Sequence, residues 1–489
     1  MTLQVEQITA LAPLLLISGA GCLALLLDTM TRGRESACRL AQLGCLAALA
    51  AVVGQWTGAE SGQPIWAGMW VVDRMSLFLD AVLIATALVT LLVAAPFVRE
   101  HDFENGEHHV LVLFATTGMM TVVHATHLLS LLIGIETMSL AAYLLVASWR
   151  RQPAGAEGAL KYLLLGAFAA GFLVYGAALL YGTTGGEMSY AGIAARAGRA
   201  AGNPLFIIGV YFVLAGMLFK IAAVPFHMWA PDAYQGAPTP VTGLMAAGIK
   251  VAAVGGLVRL LGAVFADPGL ALGHVGWVRV LGGVAFVTMT WGNLAALRQN
   301  NVKRMLAYSS IAHAGYLLIG LVALGQKVEG AQPAVLVYLA AYAFTTLGVF
   351  AVVAWMGRRD DERLLVRDWA GLARTRPAVA LAMTVLLLSL AGVPPTGGFF
   401  GKFYVFRAAV QSPDLVWLVV AAVLNSLVSV YYYLRIVVAM YFREPVRPWQ
   451  PFRSAGMGIV LAAMVVLVLA LGLVPGPVID LAASGLGAR

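Results

Sequence analysis

The chain has 489 residues, 61% of them hydrophobic and only 11% charged, with a formal charge of +8. A soluble domain carries about 25% charged residues, so this balance excludes an ordinary water-soluble fold and predicts an all-α polytopic membrane protein. The three cysteines, Cys22, Cys38 and Cys45, contain no C-x-x-C pair, and no P-loop or post-strand G-x-G-x-x-G occurs; no disulfide framework, iron–sulfur site or nucleotide site is indicated.

A spanning helix needs roughly 20 mostly apolar residues. Runs of that kind predict about fourteen transmembrane helices in a single domain over 1–489. They fall at 9–27, 37–56, 75–98, 109–126, 128–148, 158–181, 204–228, 238–262, 277–297, 304–324, 334–356, 378–409, 415–441 and 456–475. The first run is preceded by no Lys or Arg, so it is expected to stay in the membrane with its N-terminus outside.

The loops then alternate in charge. Arg32, Arg34, Arg39, Arg99, Arg150, Arg151, Arg298, Lys303, Arg304, Arg358, Arg359, Arg363, Arg367, Arg374, Arg376, Arg443, Arg447 and Arg453 fall on one side. The other side holds Arg74, Arg196, Arg199, Lys327 and Arg489. The positive-inside rule makes the first side cytoplasmic and both termini external. The same asymmetry accounts for most of the basic charge, so no nucleic acid is invoked.

Charged groups inside the spans carry the information, because a Lys or Asp near the bilayer centre costs about 2.5–3.5 kcal/mol on insertion scales. In chain order they are Glu136, Lys161, Lys220, Lys250 and Lys402. Lys161 follows Glu157 by four residues, so it either snorkels to the surface, pairs on its own helix, or serves the interior. Glu136 is either a link between helices or a partner for a buried cation. Lys250 lies about ten residues into its span, too deep for easy snorkelling.

Two spans are broken. The seventh is expected to break at Pro225 and again at Pro231, and the twelfth at Pro394 and Pro395. Backbone groups freed in this way are tolerated only where they are buried in protein or line a cavity. Lys220 precedes its break, whereas Lys402 follows its own. Two five-helix units, 109–262 and 277–441, therefore read as an internal repeat, inverted across the membrane with discontinuous helices 7 and 12.

Among the remaining groups, His227 either bridges water at the break or hydrogen-bonds freed carbonyls. His313, about ten residues into its span, can accept and donate a proton. Asp232 is expected to cap the helix beginning near Tyr234 or Gly236. Arg259, Arg279, Arg407 and Arg435 are expected at head groups or against neighbouring subunits. His108/His109 and His124/His127 have no carboxylate or thiol set around them, so no metal site is expected there.

The stretch 219–242, FKIAAVPFHMWAPDAYQGAPTPVT, and the stretch 392–402, GVPPTGGFFGK, resemble the helix 7–8 and helix 12 signatures of the antiporter-like subunits of respiratory complex I. Within that family, 300–316, NNVKRMLAYSSIAHAGY, is similar to subunit N in particular. A chain that stops after the fourteenth span, and a lysine at 402, agree with that. The resemblance implies a membrane-arm subunit of a proton-translocating NADH:quinone oxidoreductase in the bacterial cytoplasmic (inner) membrane. It implies no redox centre in this chain: NADH, FMN, iron–sulfur clusters and quinone would belong to partner subunits. The implied partners are neighbouring antiporter-like and small membrane subunits, and the lipid bilayer.

The expected chemistry is a switchable relay. A carboxylate beside a buried ammonium raises its proton affinity, and separating the two lowers it. Glu136 is expected to modulate Lys220, Lys161 to tune that pair or cytoplasmic proton uptake, Lys250 and His313 to relay, and Lys402 to gate release outside. A cation/proton antiporter of related fold and a scaffold without a proton path are the competing readings.

Overall fold

The computed structural model describes residues 5–484 except 32–33, 60–61, 63, 104–105, 274–275, 360, 447–451 and 453. Arg32, Arg447, Arg453 and Arg489 lie outside the described residues.

The first six long helices are α1 (Ala12–Thr31), α2 (Arg34–Gln55), α3 (Arg74–Glu100), α4 (Glu107–His124), α5 (Leu128–Val146) and α6 (Pro153–Thr183). The first interrupted segment follows as α7 (Pro204–Lys220) and α8 (Trp229–Gly236). Next, α9 (Thr239–Leu244) runs through a π segment, Met245–Ile249, into α10 (Lys250–Ala263). Then come α11 (Trp277–Leu297), α12 (Val302–Gly325) and α13 (Ala331–Met356). The second interrupted segment is α14 (Pro377–Ala391) with α15 (Gly397–Val410), and α16 (Val416–Phe442) and α17 (Ala455–Leu473) complete the set. Among the described residues, eleven helices are long and apolar enough to cross a membrane. The other expected spans are α4 and the two pairs of shorter helices at the breaks.

Local sequence sets the helix ends. Asp73 accepts from Ser76 N at 2.8 Å and Ser76 Oγ accepts in return from Asp73 N at 3.0 Å, closing a capping box on α3. Proline opens α6, α7 and α14, where its missing N–H has no intrahelical acceptor in any case. Asn301 caps α12 by accepting from Arg304 N. A short antiparallel hairpin, β1 (Pro64–Ile65) with β2 (Trp70–Val71), lies at the opposite end from the arginine-rich loops; Pro64 faces Val71 and Ile65 faces Trp70.

Small residues let helices approach closely where no hydrophobic force drives them together in lipid. Gly118 of α4 lies against the Met138 amide and the Gly134 carbonyl of α5, so no larger side chain fits between the two backbones. The resulting bundle is layered by burial. The span α9–α10 is 100% buried, and α12 and α13 are 94% buried, whereas α1, α6 and α16 are 28–33% buried. The helices that carry Lys250 and His313 are thus shielded from lipid, and the outer ones present apolar faces to it.

The loops sort to two ends. Arg150 pairs with Glu107, Arg151 and Arg359 with Asp102, and Arg358 with Glu100, gathering the basic loops together. Arg196 pairs with Glu187 at the other end. Two expectations are corrected here. Pro231 does not break the chain, because it lies in the first turn of α8, where the missing donor costs little. Asp232 is likewise inside α8 rather than at its cap.

Candidate functional site

The interior polar groups form a row across the buried centre, assembled from both sides of the first break to the second. Lys220 is the last residue of α7 and its side chain is buried. Its ammonium donates to Ser139 Oγ at 2.7 Å and reaches Tyr143 Oη at 3.5 Å. Glu136, Ser139 and Tyr143 lie at i, i+3 and i+7 on α5, so one helical face presents all three. Glu136 stands within electrostatic reach of Lys220 but makes no direct ion pair with it among the described residues. The Glu136 Oε1 atom is buried without a hydrogen-bond partner among the described groups.

The backbone freed at the first break is tied down locally. Phe219 O accepts from Ala222 N and from the Trp229 indole at 3.0 Å each, and Val224 N donates to Thr288 Oγ1 at 3.0 Å. Trp229 stacks on Tyr162 at 4.1 Å, which in turn meets Tyr143 edge-on at 4.6 Å. Aromatic rings therefore wall the lysine in. His227 is half-buried on the outer side of the break, against the Pro225 carbonyl and 6.1 Å from Trp291. It is not brought into the row.

Lys250 begins α10, immediately after the π segment, and is buried. Its ammonium donates to both the carbonyl and the hydroxyl of Ser310 on α12, the latter at 2.6 Å, and Tyr342 Oη donates to the same hydroxyl at 2.9 Å. The ammonium also lies 5.1 Å from the centre of the Tyr342 ring. One turn along α12, His313 is hydrogen-bonded through Nδ1 to Tyr338 Oη at 2.8 Å and through Nε2 to Tyr433 Oη at 3.3 Å. His313 lies within electrostatic reach of both Lys250 and Lys402.

Lys402 closes the row. Its ammonium donates to Leu390 O and Ala391 O at 3.0 Å each and to Ser426 Oγ at 2.9 Å. Those two carbonyls have no partner within the helix where α14 stops, Ala391 O accepting also from Ser426 Oγ at 3.3 Å, and a cation is favoured at a helix C-terminus. Gly398 N donates to Ser389 Oγ at 3.0 Å, fixing the start of α15 against the end of α14. Tyr316 lies under the ammonium at 5.0 Å and accepts from Asn293 at 2.9 Å.

Lys161 stands apart from this row. It is half-exposed and pairs with Glu157 and Asp232 at 2.7 Å each; Arg304 takes the other Asp232 oxygen at 2.6 Å. The cluster therefore ties α8 to α6 and α12.

Sequence reasoning missed three features. Asp80, buried in α3, is joined to His124 Nε2 at 2.8 Å, with Val71 O 2.6 Å from Nδ1 and Trp70 stacked at 4.4 Å. His124 thus has a carboxylate that the flanking sequence does not reveal; Asp80 itself, an acid well inside an apolar run, was open to the same cost argument as the lysines. Lys303 is not a loop cation, being wholly buried in the first turn of α12. Arg259 and Arg435 are not head-group anchors. Arg259 grips Asp73 with two bonds at 2.8 and 2.9 Å, and Arg435 donates to the Leu297 and Gln299 carbonyls. At Asp73, outside the spans, burial alone would raise the carboxyl, but the Arg259 guanidinium and Ser76 hold it well below the usual carboxylate range.

Among the described residues no group of three or more metal-ligating side chains occurs. The sequence and fold have known relatives. Residues 125–429 match the family described as NADH:quinone oxidoreductase/Mrp antiporter, TM. NADH-quinone oxidoreductase subunit N 1 of Sorangium cellulosum is 44% identical over 95% of this chain and 96% of its own length. Subunit N of Trichlorobacter lovleyi is 39% identical over 98% and 97%. A chain of respiratory complex I from Thermus thermophilus superimposes with a TM-score of 0.80 and 36% identity, covering 97% of this chain and all of that one. A chain of the Mrp complex from Dietzia sp. shares the fold, with a TM-score of 0.86 at 22% identity. An integral membrane protein with this many apolar helices, matched end to end by those relatives, belongs to the NADH-quinone oxidoreductase subunit N family.

Proposed function

We propose that this chain is a proton-translocating membrane-arm subunit of NADH:quinone oxidoreductase. The observation that carries the reading is the buried row Lys220, Lys250, His313 and Lys402, in which each group is held by hydroxyls or freed carbonyls. A structural ammonium buried for stability alone is expected to have a carboxylate beside it, because an unpaired buried charge is costly. Among the described residues none of the three lysines has one in direct contact. Hydroxyl and carbonyl partners hold an ammonium yet leave it able to give up a proton without stranding a buried anion.

In this reading Glu136 sets the charge balance of Lys220, Lys250 and His313 pass protons along the centre, and Lys402 governs release. Lys161 acts through Asp232 by positioning α8, and His227 plays no direct part. The repeats 109–262 and 277–441 are two inverted halves, each contributing one broken helix with a lysine beside it, Lys220 and Lys402. The cytoplasmic side is the arginine-rich end, the termini are external, and the membrane is the bacterial inner membrane. NADH, FMN, the iron–sulfur clusters and quinone are held by partner subunits, which supply the driving reaction.

The test is the intact complex in liposomes carrying Lys220→Ala or Lys402→Ala, with proton pumping measured against quinone reduction. Loss of pumping is expected, and unchanged pumping from both variants overturns the relay. The Mrp-like fold favours a second reading, exchange of a cation for protons; ion exchange by the purified chain alone in liposomes would select it.

A further inference from the structure

Lys303 is 0% exposed although it is only the second residue of α12, while its neighbour Arg304 reaches the surface and pairs there. Its ammonium donates to Ala237 O at 2.6 Å, just past α8, and to Glu362 Oε1 at 3.4 Å. Glu362, on the loop after α13, is 13% exposed and accepts from Thr239 Oγ1 at 2.8 Å at the start of α9. A pair buried in this way adds little stability over apolar side chains of the same size. It does join the arginine-rich end of the molecule to the interior.

Further in, the hydroxyls continue. Thr242 follows Thr239 by three residues on α9 and is buried. Ser310 follows Lys303 by seven residues on α12, two turns on the same face and about 10 Å deeper. Thr346 on α13 is buried and lies against the Tyr342 hydroxyl, which donates to Ser310. Tyr234 of α8 also lies against Ser310, and Ser310 holds Lys250. Four packed helices, α8, α9, α12 and α13, thus carry polar groups between Glu362 and Lys250, with the Thr242 hydroxyl donating to the Tyr234 carbonyl at 2.9 Å.

We propose that the Lys303–Glu362 pair is the cytoplasmic proton-uptake gate for Lys250; this rests on the relay reading above. Glu362 takes a proton from loop-side hydronium, an O–H bond forming on the carboxylate as one breaks on the donor and leaves water, and the neutral acid loosens from Lys303. The acid then gives that proton to water in the corridor lined by Thr242 and Thr346. The water passes a proton to the unprotonated Lys250 amine, where an N–H bond forms as the O–H bond breaks. Glu362 returns to carboxylate and is held again by the Lys303 ammonium, which keeps its own protons throughout and blocks backflow of cations.

The experiment uses the whole complex in liposomes, with assembly, quinone reduction and proton pumping read separately for Glu362→Gln, Glu362→Asp and Lys250→Ala. Glu362→Gln keeps the acceptor for Thr239 but cannot carry the proton, so pumping is expected to fall roughly tenfold or more, with partial rescue by Glu362→Asp. If Lys250→Ala abolishes pumping while Glu362→Gln leaves it intact, the gate is overturned and the relay stands. If Lys250→Ala itself pumps normally, the relay has failed first. Should Glu362→Gln not assemble, the near-isosteric pair Thr242→Val with Thr346→Val is read in the same way. Loss of pumping in that double variant supports the corridor, and full pumping overturns it.

Discussion

Lys402 and Leu390 stand on opposite sides of the break between α14 and α15, twelve residues apart in sequence, and are joined by a 3.0 Å hydrogen bond from ammonium to carbonyl. The lysine completes the helix end that the break leaves open. Charge placement and backbone satisfaction are therefore one requirement here, which explains why the break and the lysine occur together.

Replacing Lys402 by Met should strand the Leu390 carbonyl, at about 1–3 kcal/mol for a buried acceptor, and leave Ala391 O with only its 3.3 Å bond from Ser426 Oγ. Thermal unfolding of the purified complex should show the loss, together with failure to pump. Ser426→Ala removes only one of three acceptors and should cost nearer 1 kcal/mol. Equal melting of Lys402→Met and the parent protein would contradict this account.

Asp80 and His124 are each almost wholly buried, and Asp80 Oδ1 has no partner among the described groups. Removing His124 alone, as His124→Leu, should destabilise by roughly 3–5 kcal/mol because it leaves an uncompensated acid. Asp80→Leu combined with His124→Leu should recover part of that loss. A double-mutant cycle on unfolding midpoints measures the coupling, and strict additivity would show that the pair does not interact.

Gly398 leaves no room for a methyl group, which would collide with the Ser389 carbonyl oxygen across the second break. Gly398→Ala should displace the start of α15 and carry Lys402 with it, reducing both assembly and pumping. Thr384→Ala, at a half-buried position of α14 where the hydroxyl bonds only its own helix at Ala380 O, is the control expected to leave both unchanged. An assembled, pumping Gly398→Ala complex would mean that the break is looser than described.

The Asp73–Arg259 pair has a defined pH signature. The Asp73 carboxyl is held below its unfolded value, so its contribution to stability is complete above the ordinary carboxylate range, near pH 4. That contribution fades as pH falls through the lower folded-state value. Asp73→Asn should therefore melt earlier than the parent at pH 7, and the two curves should converge on acidification. A gap that is constant with pH would point to packing rather than charge.

Much of this was legible in the sequence. Hydropathy located the eleven long apolar helices found among the described residues, and proline with glycine located both breaks, because these residues act on the backbone of their own segment. Lys220, Lys250 and Lys402 stood out because a charge in an apolar run has an obvious cost. Their partners did not stand out. Ser310, Tyr342 and Tyr433 are ordinary residues in helical sequence, and only packing brings them to an ammonium or an imidazole. Lys161 shows the reverse: its charge was conspicuous, yet Asp232, seventy-one residues away, fixes it at the edge. The sequence places Lys303 in a loop, whereas its helix begins one residue earlier, at a boundary that hydropathy does not resolve.

The π segment at Met245–Ile249 has a geometric consequence of its own. Such a turn holds one residue more than an α turn, and each residue advances a helix by about 100°. Everything from Lys250 onward is rotated by that angle against the rod that precedes it. The aim of Lys250 at Ser310, and of Arg259 at Asp73, is thereby set by a single surplus link in the chain. Deleting one alanine there would swing both cations away from their targets while leaving every side chain in the segment chemically unaltered.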